Sequence, residues 1–131
     1  MLIGIGAASL TRAYELIAED KDLIIVGDLK STEDITIRVR NLVVLGFIIF
    51  SKTLTIHVVD TLYNGGSIRG KEAALSGKKW QNKIDEACLP RIQALGIDLS
   101  FNPDKTLRLG PTRATLLDMT PYVASPMDEM D

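Results

Sequence analysis

Apolar and polar residues alternate over residues 35–39 (ITIRV) and again over residues 54–58 (LTIHV). A period of two places successive side chains on opposite faces of a β-strand, so each segment predicts a strand with one buried face. Each segment is followed by an Asp or Asn and then by a glycine, at the same relative positions, and in the first of them a short apolar run lies between the two. The pattern therefore predicts short strands and turns in a repeating order.

Counting in steps of nineteen aligns three blocks without gaps, Leu16–Asp34, Ile35–Thr53 and Leu54–Glu72. Similar residues then form four columns: Leu16, Ile35 and Leu54; Asp22, Asn41 and Asp60; Ile24, Val43 and Leu62; and Gly27, Gly46 and Gly65. Asp and Asn suit a strand end that turns, and glycine suits a corner that needs a close approach or a positive φ. Three short strands per block predict one turn of a parallel β-helix.

Three segments carry a further resemblance: residues 21–31 (KDLIIVGDLKS), 34–46 (DITIRVRNLVVLG) and 53–70 (TLTIHVVDTLYNGGSIRG). They resemble the repeats of filamentous-haemagglutinin-type β-helices, in which Leu-x-Ile, Asn-Leu and Gly-x-Ile recur. Residues 9–17 (SLTRAYELI) fit as a degenerate earlier repeat, so the resemblance covers about residues 9–77. It implies a structural or protein-interaction module of a bacterial surface or secreted protein, and it implies nothing about catalysis.

The predicted fold is mainly β: a short parallel β-helix of about three 19-residue turns over residues 16–72. Residues 1–15 are assigned to an N-terminal cap and residues 73–131 to a mixed α+β C-terminal cap. Caps are expected because a β-helix has unpaired strand edges at both ends, which invite association. We therefore expect a protein partner, or self-association through exposed strand edges.

The two flanks have their own local signals. An amphipathic helix over residues 7–20 competes with the earlier repeat there. Beyond the repeats, residues 82–95 predict a helix, and residues 97–101 and 106–109 predict short strands joined by an Asn-Pro-Asp turn. A short helix is expected over residues 112–119. In addition, Trp80 is expected to cover the last turn of the coil.

The N-terminus also allows a different fold, an α/β dinucleotide-binding domain. In that alternative Leu2–Ile5 is the first strand, Gly4, Gly6 and Ser9 form the phosphate turn before a helix, and Asp28 reaches the ribose. Glycines in such a turn let a helix N-terminus approach a pyrophosphate. The two hypotheses differ at residues 36–39, where a strand favours the β-helix and a helix favours the nucleotide fold.

Three other features offer little chemistry. Residues 65–72 (GGSIRGKE) match a G-x-x-x-x-G-K phosphate loop, but Glu72 replaces the Ser or Thr that would bind Mg²⁺. His57 falls in an outward column with Glu19 and Arg38 and is expected to be solvated or paired along that column. Cys88 is expected to be a buried core thiol. No catalytic residue, cofactor or metal site is predicted.

Composition limits the remaining classes of protein. The chain has 131 residues with 15 basic and 17 acidic side chains, a net charge of -2, which argues against a dedicated nucleic-acid binder. One cysteine and one histidine exclude an intrachain disulfide and a multi-His metal site. The longest apolar stretch is too short to span a bilayer, and no signal peptide is recognisable. The expected location is therefore the cytoplasm, or the chain is a fragment of a secreted protein.

Overall fold

The computed structural model describes residues 1–123 as a parallel β-solenoid of about four turns. Strands make up 59% of the structure, which confirms the predicted mainly β class. The strands are β1 (Leu2–Ile5), β2 (Ala8–Leu10), β3 (Tyr14–Ile25), β4 (Leu29–Ser31), β5 (Ile35–Val44), β6 (Phe47–Asn64), β7 (Ser67–Gln81), β8 (Leu99–Phe101), β9 (Leu107–Leu109) and β10 (Thr115–Leu116). The one α-helix of the described residues, α1 (Leu89–Gln93), lies between two 3-10 helices, Glu86–Cys88 and Thr120–Tyr122.

The long strands bend at corners, so that each turn contributes to three faces. Face 1 holds residues 2–5, 22–25, 41–44, 61–64 and 79–81; face 2 holds 8–10, 29–31, 48–50 and 67–70; face 3 holds 14–18, 35–39, 54–58 and 73–77. Every pairing between successive turns is parallel. Neighbouring turns are therefore about 4.8 Å apart, the spacing of paired strands.

The interior of the coil is aliphatic, as the alternation predicts. Ile37 and Ile56, at the centre of face 3 in successive turns, are completely buried. Thr36 and Thr55, which alternate with them, lie on the outside and are half-buried. Each turn thus stacks its apolar side chains directly on those of the turn before.

The repeat is less regular than nineteen residues. Tyr14, not Leu16, pairs with Ile35, and Leu16 pairs with Ile37, so the first turn is two residues longer than predicted on face 3. The pairing of Ile35 with Leu54 is as predicted. The register shifts between Ala18 and Asp22 and at later corners, because residues can be added at a corner without disturbing the strands.

On face 1 the pairing also departs from the predicted nineteen-residue spacing, one turn later. Ile24 pairs with Val43 as predicted, but Val43 then pairs with Tyr63 rather than Leu62. The glycine column also moves by one, from Gly65 to Gly66. A Cβ atom on Gly66 would overlap the carbonyl group of Gly46, so this corner leaves no room for a side chain.

A buried polar column links the turns where face 3 meets face 1. Asp22 accepts two hydrogen bonds from Arg40, at 3.0 and 2.7 Å, and one from the side chain of Asn41 at 3.0 Å. Asn41 Oδ1 in turn accepts the backbone N–H of Thr61 at 3.1 Å, so Thr61, not Asp60, continues the column. Burial alone would raise the pKa of Asp22, but the bonds from Arg40 and Asn41 outweigh it and lower that pKa.

The segment after the coil packs along the outside of face 1, so this face is buried on both sides. The outward side chains of Leu2, Ile24, Val43 and Tyr63 form a second apolar cluster with Ile84, Cys88, Ile92, Ile97 and Leu99. The predicted strands are present as the antiparallel pair β8 and β9. The helix predicted over residues 82–95 is shorter, with α1 confined to the five residues Leu89–Gln93: Pro90 lies in its first turn, and Gly96 with φ of 92° follows its end.

The chain then returns to the first turn of the coil. Residues 112–119 do not form the predicted helix; instead β10 pairs with β1, with Thr115 opposite Ile3. Beyond β10, Tyr122 packs edge-on against Tyr14 with ring centroids 4.7 Å apart. The C-terminal segment therefore closes the N-terminal end of the coil. Residues 124–131, the end of the predicted C-terminal cap, lie outside the described residues.

The dinucleotide-binding alternative is not supported. Residues 36–39, which separate the two hypotheses, belong to strand β5. Residues 8–10 and 14–25 are strands β2 and β3, so neither the nucleotide-binding helix nor the amphipathic helix expected over residues 7–20 is present. The degenerate early repeat is the correct interpretation of residues 9–17.

The inward and outward positions of face 3 predict opposite responses to charge. Ile37→Asp and Ile56→Asp each place an unpaired carboxylate in the interior at a cost of several kcal/mol, comparable to the whole stability of a small domain. We expect both variants to be unfolded by circular dichroism. Thr36→Asp, the matched control, should melt within a few degrees of the unmodified chain. Equal stability of all three variants would show that the positions are misassigned.

The polar column predicts a second effect on stability. Asp22→Ala leaves Asn41 and Arg40 without their acceptor and should lower the free energy of unfolding by about 2–4 kcal/mol. Asp60→Ala, at an exposed neighbouring position, should cost less than about 1 kcal/mol. The pKa of Asp22 is lowered, so its contribution is present above its ordinary pKa of about 4 and is lost as the pH falls through the lowered value. A difference between Asp22→Asn and the unmodified chain that persists unchanged at acid pH would contradict this role.

Candidate interaction surface

The last turn of the coil ends in a long, free strand edge. Strand β7 has 15 residues and pairs with β6 along one side. Within residues 1–123, no strand pairs with its other side. In a parallel sheet successive residues direct their N–H and C=O groups to opposite neighbours, so about half of the backbone groups of β7 face outward unpaired.

The interior of the coil is also thinly covered at this end. Ala73 and Gly77 occupy the inward positions below Leu54 and Val58, and both small residues are exposed. Leu75, between them, is half-buried. The floor of the coil on face 3 is therefore a shallow apolar strip that ends at a free strand edge.

Trp80 belongs to the final turn, where it continues the inward column of Leu62, and its indole Nε1 lies 3.5 Å from the position that a Cβ atom would take on Gly77. It pairs with Leu62 on face 1 and is half-buried. Ile68 on face 2 is also half-buried and packs on the core. Large apolar side chains thus flank the strip on the two neighbouring faces.

Strand β7 is strongly basic in a chain whose net charge is -2. It carries four cations, Arg69, Lys71, Lys78 and Lys79, and one anion, Glu72, a net charge of +3. All five side chains are exposed. The rest of the chain therefore carries a net charge of -5, so positive charge is concentrated at the open end.

Three cations in the earlier turns form salt bridges with carboxylates of the turn before. Arg38 Nε lies 2.9 Å from Glu19, and Lys52 Nζ lies 2.5 Å from Glu33. Arg40 and Asp22 form the third such pair, at 2.7 Å. Among residues 1–123, the salt bridges include none made by the cations of β7. The last turn is thus the place where this pairing between turns stops.

The pair formed by His57 and Ser76 lies on the outer side of face 3. His57 Nδ1 lies 2.8 Å from Ser76 Oγ, and His57 stands opposite Arg38 in the column predicted for it. Nucleophilic catalysis also needs a group that orients the histidine. In the described part of the chain no carboxylate forms an ion pair with His57. The pair is best explained as a polar contact between turns.

Of the residues of the proposed dinucleotide turn, Gly6 and Ser9 line one shallow pocket and Ser9 and Asp28 line another, but these pockets lie between strands and not at the start of a helix. Gly4 lies in β1 under Leu116, and Ser9 lies in β2 rather than at the start of a helix. Gly6 lies between these strands. Asp28 accepts a hydrogen bond from the backbone N–H of Phe47 at 3.0 Å and so holds a corner of the coil.

The remaining sequence features also have structural roles. The G-x-x-x-x-G-K match spans a corner and the start of β7, with no helix after it. An open groove beside this corner is lined by Gly65, Lys83, Phe101 and Lys105, among others. Cys88 is 1% exposed in the outer apolar cluster, as predicted. Within the described residues, no three His, Cys, Asp or Glu side chains are grouped as metal ligands would be.

Comparisons with known proteins do not assign this chain to a family. Protein-family models, curated proteins and solved structures gave no match. The solenoid is consistent with the β-helix resemblance, but no family match supports the filamentous-haemagglutinin type. None of the helices in the described part of the chain is long and apolar enough to cross a membrane.

Hydrogen exchange tests the free edge directly. On β7 we expect alternate amides of residues 73–77 to exchange at nearly unprotected rates, because only every second N–H faces β6. The amides of residues 54–58, in the middle of the sheet, should all be protected. Exchange by nuclear magnetic resonance measures both sets in one sample. Uniform protection along β7 would mean that its outer edge is already paired.

Proposed function

We propose that this chain is a structural, protein-interaction module whose last turn accepts a strand of another polypeptide. The observation that carries the proposal is the outer edge of β7, which presents unpaired backbone groups beside an apolar strip. Addition of a strand to a sheet edge supplies backbone hydrogen bonds, and side-chain pockets along the edge supply specificity. The resemblance of residues 9–77 to surface-exposed β-helices supports such a role, with a surface or secreted protein as the proposed context.

The contrast between the two ends of the coil supports this assignment. At the N-terminal end β10 pairs with β1, and the 3-10 helix Thr120–Tyr122 lies over the core. Met119 and Tyr122 contact the apolar interior there. At the other end, the described residues leave a 15-residue strand without such a cover. A free edge of this length invites pairing with another chain.

A second copy of this chain is the other occupant that the edge allows. Pairing two β7 edges would bring together two strands that each carry a net charge of +3, and like charges across such an interface cost free energy. Screening by salt weakens that repulsion. Any self-association through this edge is therefore expected to be weak at low ionic strength and to increase with salt.

A neutral strand-forming peptide tests the proposed function. A capped nonapeptide with alternating valine and threonine should bind weakly, with a dissociation constant on the order of 0.1–1 mM. Its binding should shift and protect the outward amides of residues 73–77, measured by nuclear magnetic resonance. The amides of β1 and β10 serve as the internal control, because the N-terminal end is covered. Sedimentation at low and high salt measures self-association in parallel.

The outcomes separate clearly. Peptide binding at β7, or a dimer in which the β7 amides become protected, supports the proposal. A monomer whose β7 amides respond to no strand peptide would overturn it.

A further inference from the structure

We infer that the partner strand is an acidic extended segment of another protein, with an alternating apolar centre and carboxylates at both ends. This inference rests on the proposed function, because it names the chemistry of the strand that the β7 edge receives. Three observations carry it: the order of charges at the corners, the apolar strip between them and the distance that separates them.

Charge alternates from turn to turn at the corner between faces 3 and 1. Asp22 in the second turn pairs with Arg40 in the third. Asp60 occupies this corner in the next turn, where its charge helps to raise the pKa of Arg40. Lys78 and Lys79 follow in the last turn. The next strand in this order would carry an acid.

The corner between faces 2 and 3 does not alternate in this way, but it also leaves a cation without an ion pair. Glu33 pairs with Lys52, and Lys71 lies at the corresponding corner one turn later, next to Glu72. Within the described residues, Lys71 makes none of the salt bridges. An acidic residue opposite Lys71 on an added strand would pair with it.

Between these corners the edge favours apolar side chains in alternation. Ala73, Leu75 and Gly77 continue the inward columns of Leu54, Ile56 and Val58. Ala73 and Gly77 are exposed and lie under fully buried side chains, and a Cβ atom on Gly77 would overlap Val58. An added strand that places valine-sized side chains there would extend the core by one layer and remove apolar surface from water.

The length of the required segment follows from the register. Lys71 and Lys78 are separated by seven residues along β7, or about 23 Å in an extended strand. A segment of nine residues with acids at positions 1, 8 and 9 and valine at positions 3, 5 and 7 matches both corners and the strip. Position 2 stands opposite Glu72 and is therefore neutral, because like charges directly opposite each other are unfavourable. A second copy does not supply this charge along β7, and a nucleic acid lacks the peptide groups that pair with a strand.

Three nonapeptides with the same alternating centre test the inference: Asp-Ser-Val-Thr-Val-Thr-Val-Asp-Glu, a neutral peptide with serine at the three acidic positions and a basic one with lysine there. At low salt the acidic peptide should bind about tenfold more tightly than the neutral one and the basic peptide more weakly. The preference should shrink at high salt. Fluorescence anisotropy gives the affinities, and the amides of residues 73–77 locate the binding.

Two protein variants assign the preference to the open end. The double variant Lys78→Glu/Lys79→Glu should lose the preference for the acidic peptide and favour the basic one. Lys30→Glu/Arg108→Glu makes the same change in net charge at exposed positions outside β7 and should keep the preference. Circular dichroism confirms that both variants remain folded.

N-methylation of the acidic peptide tests strand pairing. Methylation of either the valines or the threonines should abolish binding, and methylation of the other set should leave it unchanged, because a strand at an edge uses alternate N–H groups. Equal binding of the acidic, neutral and basic peptides at β7 would overturn the inference and leave the proposed function standing. Failure of all three to bind there, in a chain that also remains monomeric, would overturn both. Equally tight binding of a single-stranded oligonucleotide of matched charge would overturn the peptide assignment.

Discussion

Backbone hydrogen bonds between successive turns hold this fold together, and each turn depends on having a neighbour on both sides. Side chains inside the coil stack because the parallel ladders fix one turn over the next, as with Ile37 and Ile56. In such an arrangement every inner turn has paired backbone groups on both sides, whereas the first and last turns have one unpaired edge each. At the first turn the edge is covered, because β10 pairs with β1. That return requires the segment after the coil to run along face 1, which explains why this face is apolar on both sides.

Contacts at the corners fix the pairing register between turns, which the aliphatic strands alone do not. A strand rich in Ile, Leu and Val can slip along its neighbour with little penalty, as long as inward positions remain inward. The buried Asp22 and Asn41 do not tolerate such a slip, because their hydrogen bonds to Arg40 and to the N–H of Thr61 would be lost. Gly66 adds a steric constraint, since it lies against the carbonyl group of Gly46. These contacts fix the register of a core that is otherwise permissive.

The same division explains how far the sequence alone could be interpreted. Alternation of apolar and polar residues was sufficient to predict the strands of face 3, because period two is a local property, and the recurring columns of similar residues then predicted the solenoid. A constant spacing of nineteen residues did not predict the pairing register correctly. Single residues are added at corners, and one such addition moves the partner of Val43 from Leu62 to Tyr63. The course of residues 82–123 depends on long-range packing against Ile24 and its neighbours, which no local pattern encodes. The free edge of β7 was expected in general terms, but its position required knowing which end the C-terminal segment covers.

At the open end of the coil, the positive charge of β7 affects which strand can pair with its free edge. A strand edge that must avoid other copies of itself is commonly protected by lysine, and four cations on β7 fit that purpose. The same cations do not repel an acidic strand; they attract one, and the backbone groups and the strip from Ala73 to Gly77 then contribute to its binding. The same lysine and arginine side chains of β7 therefore both oppose self-association and select the partner. A single choice of charge at the last turn disfavours a second copy and favours a strand of opposite charge, which is specificity obtained from both repulsion and attraction.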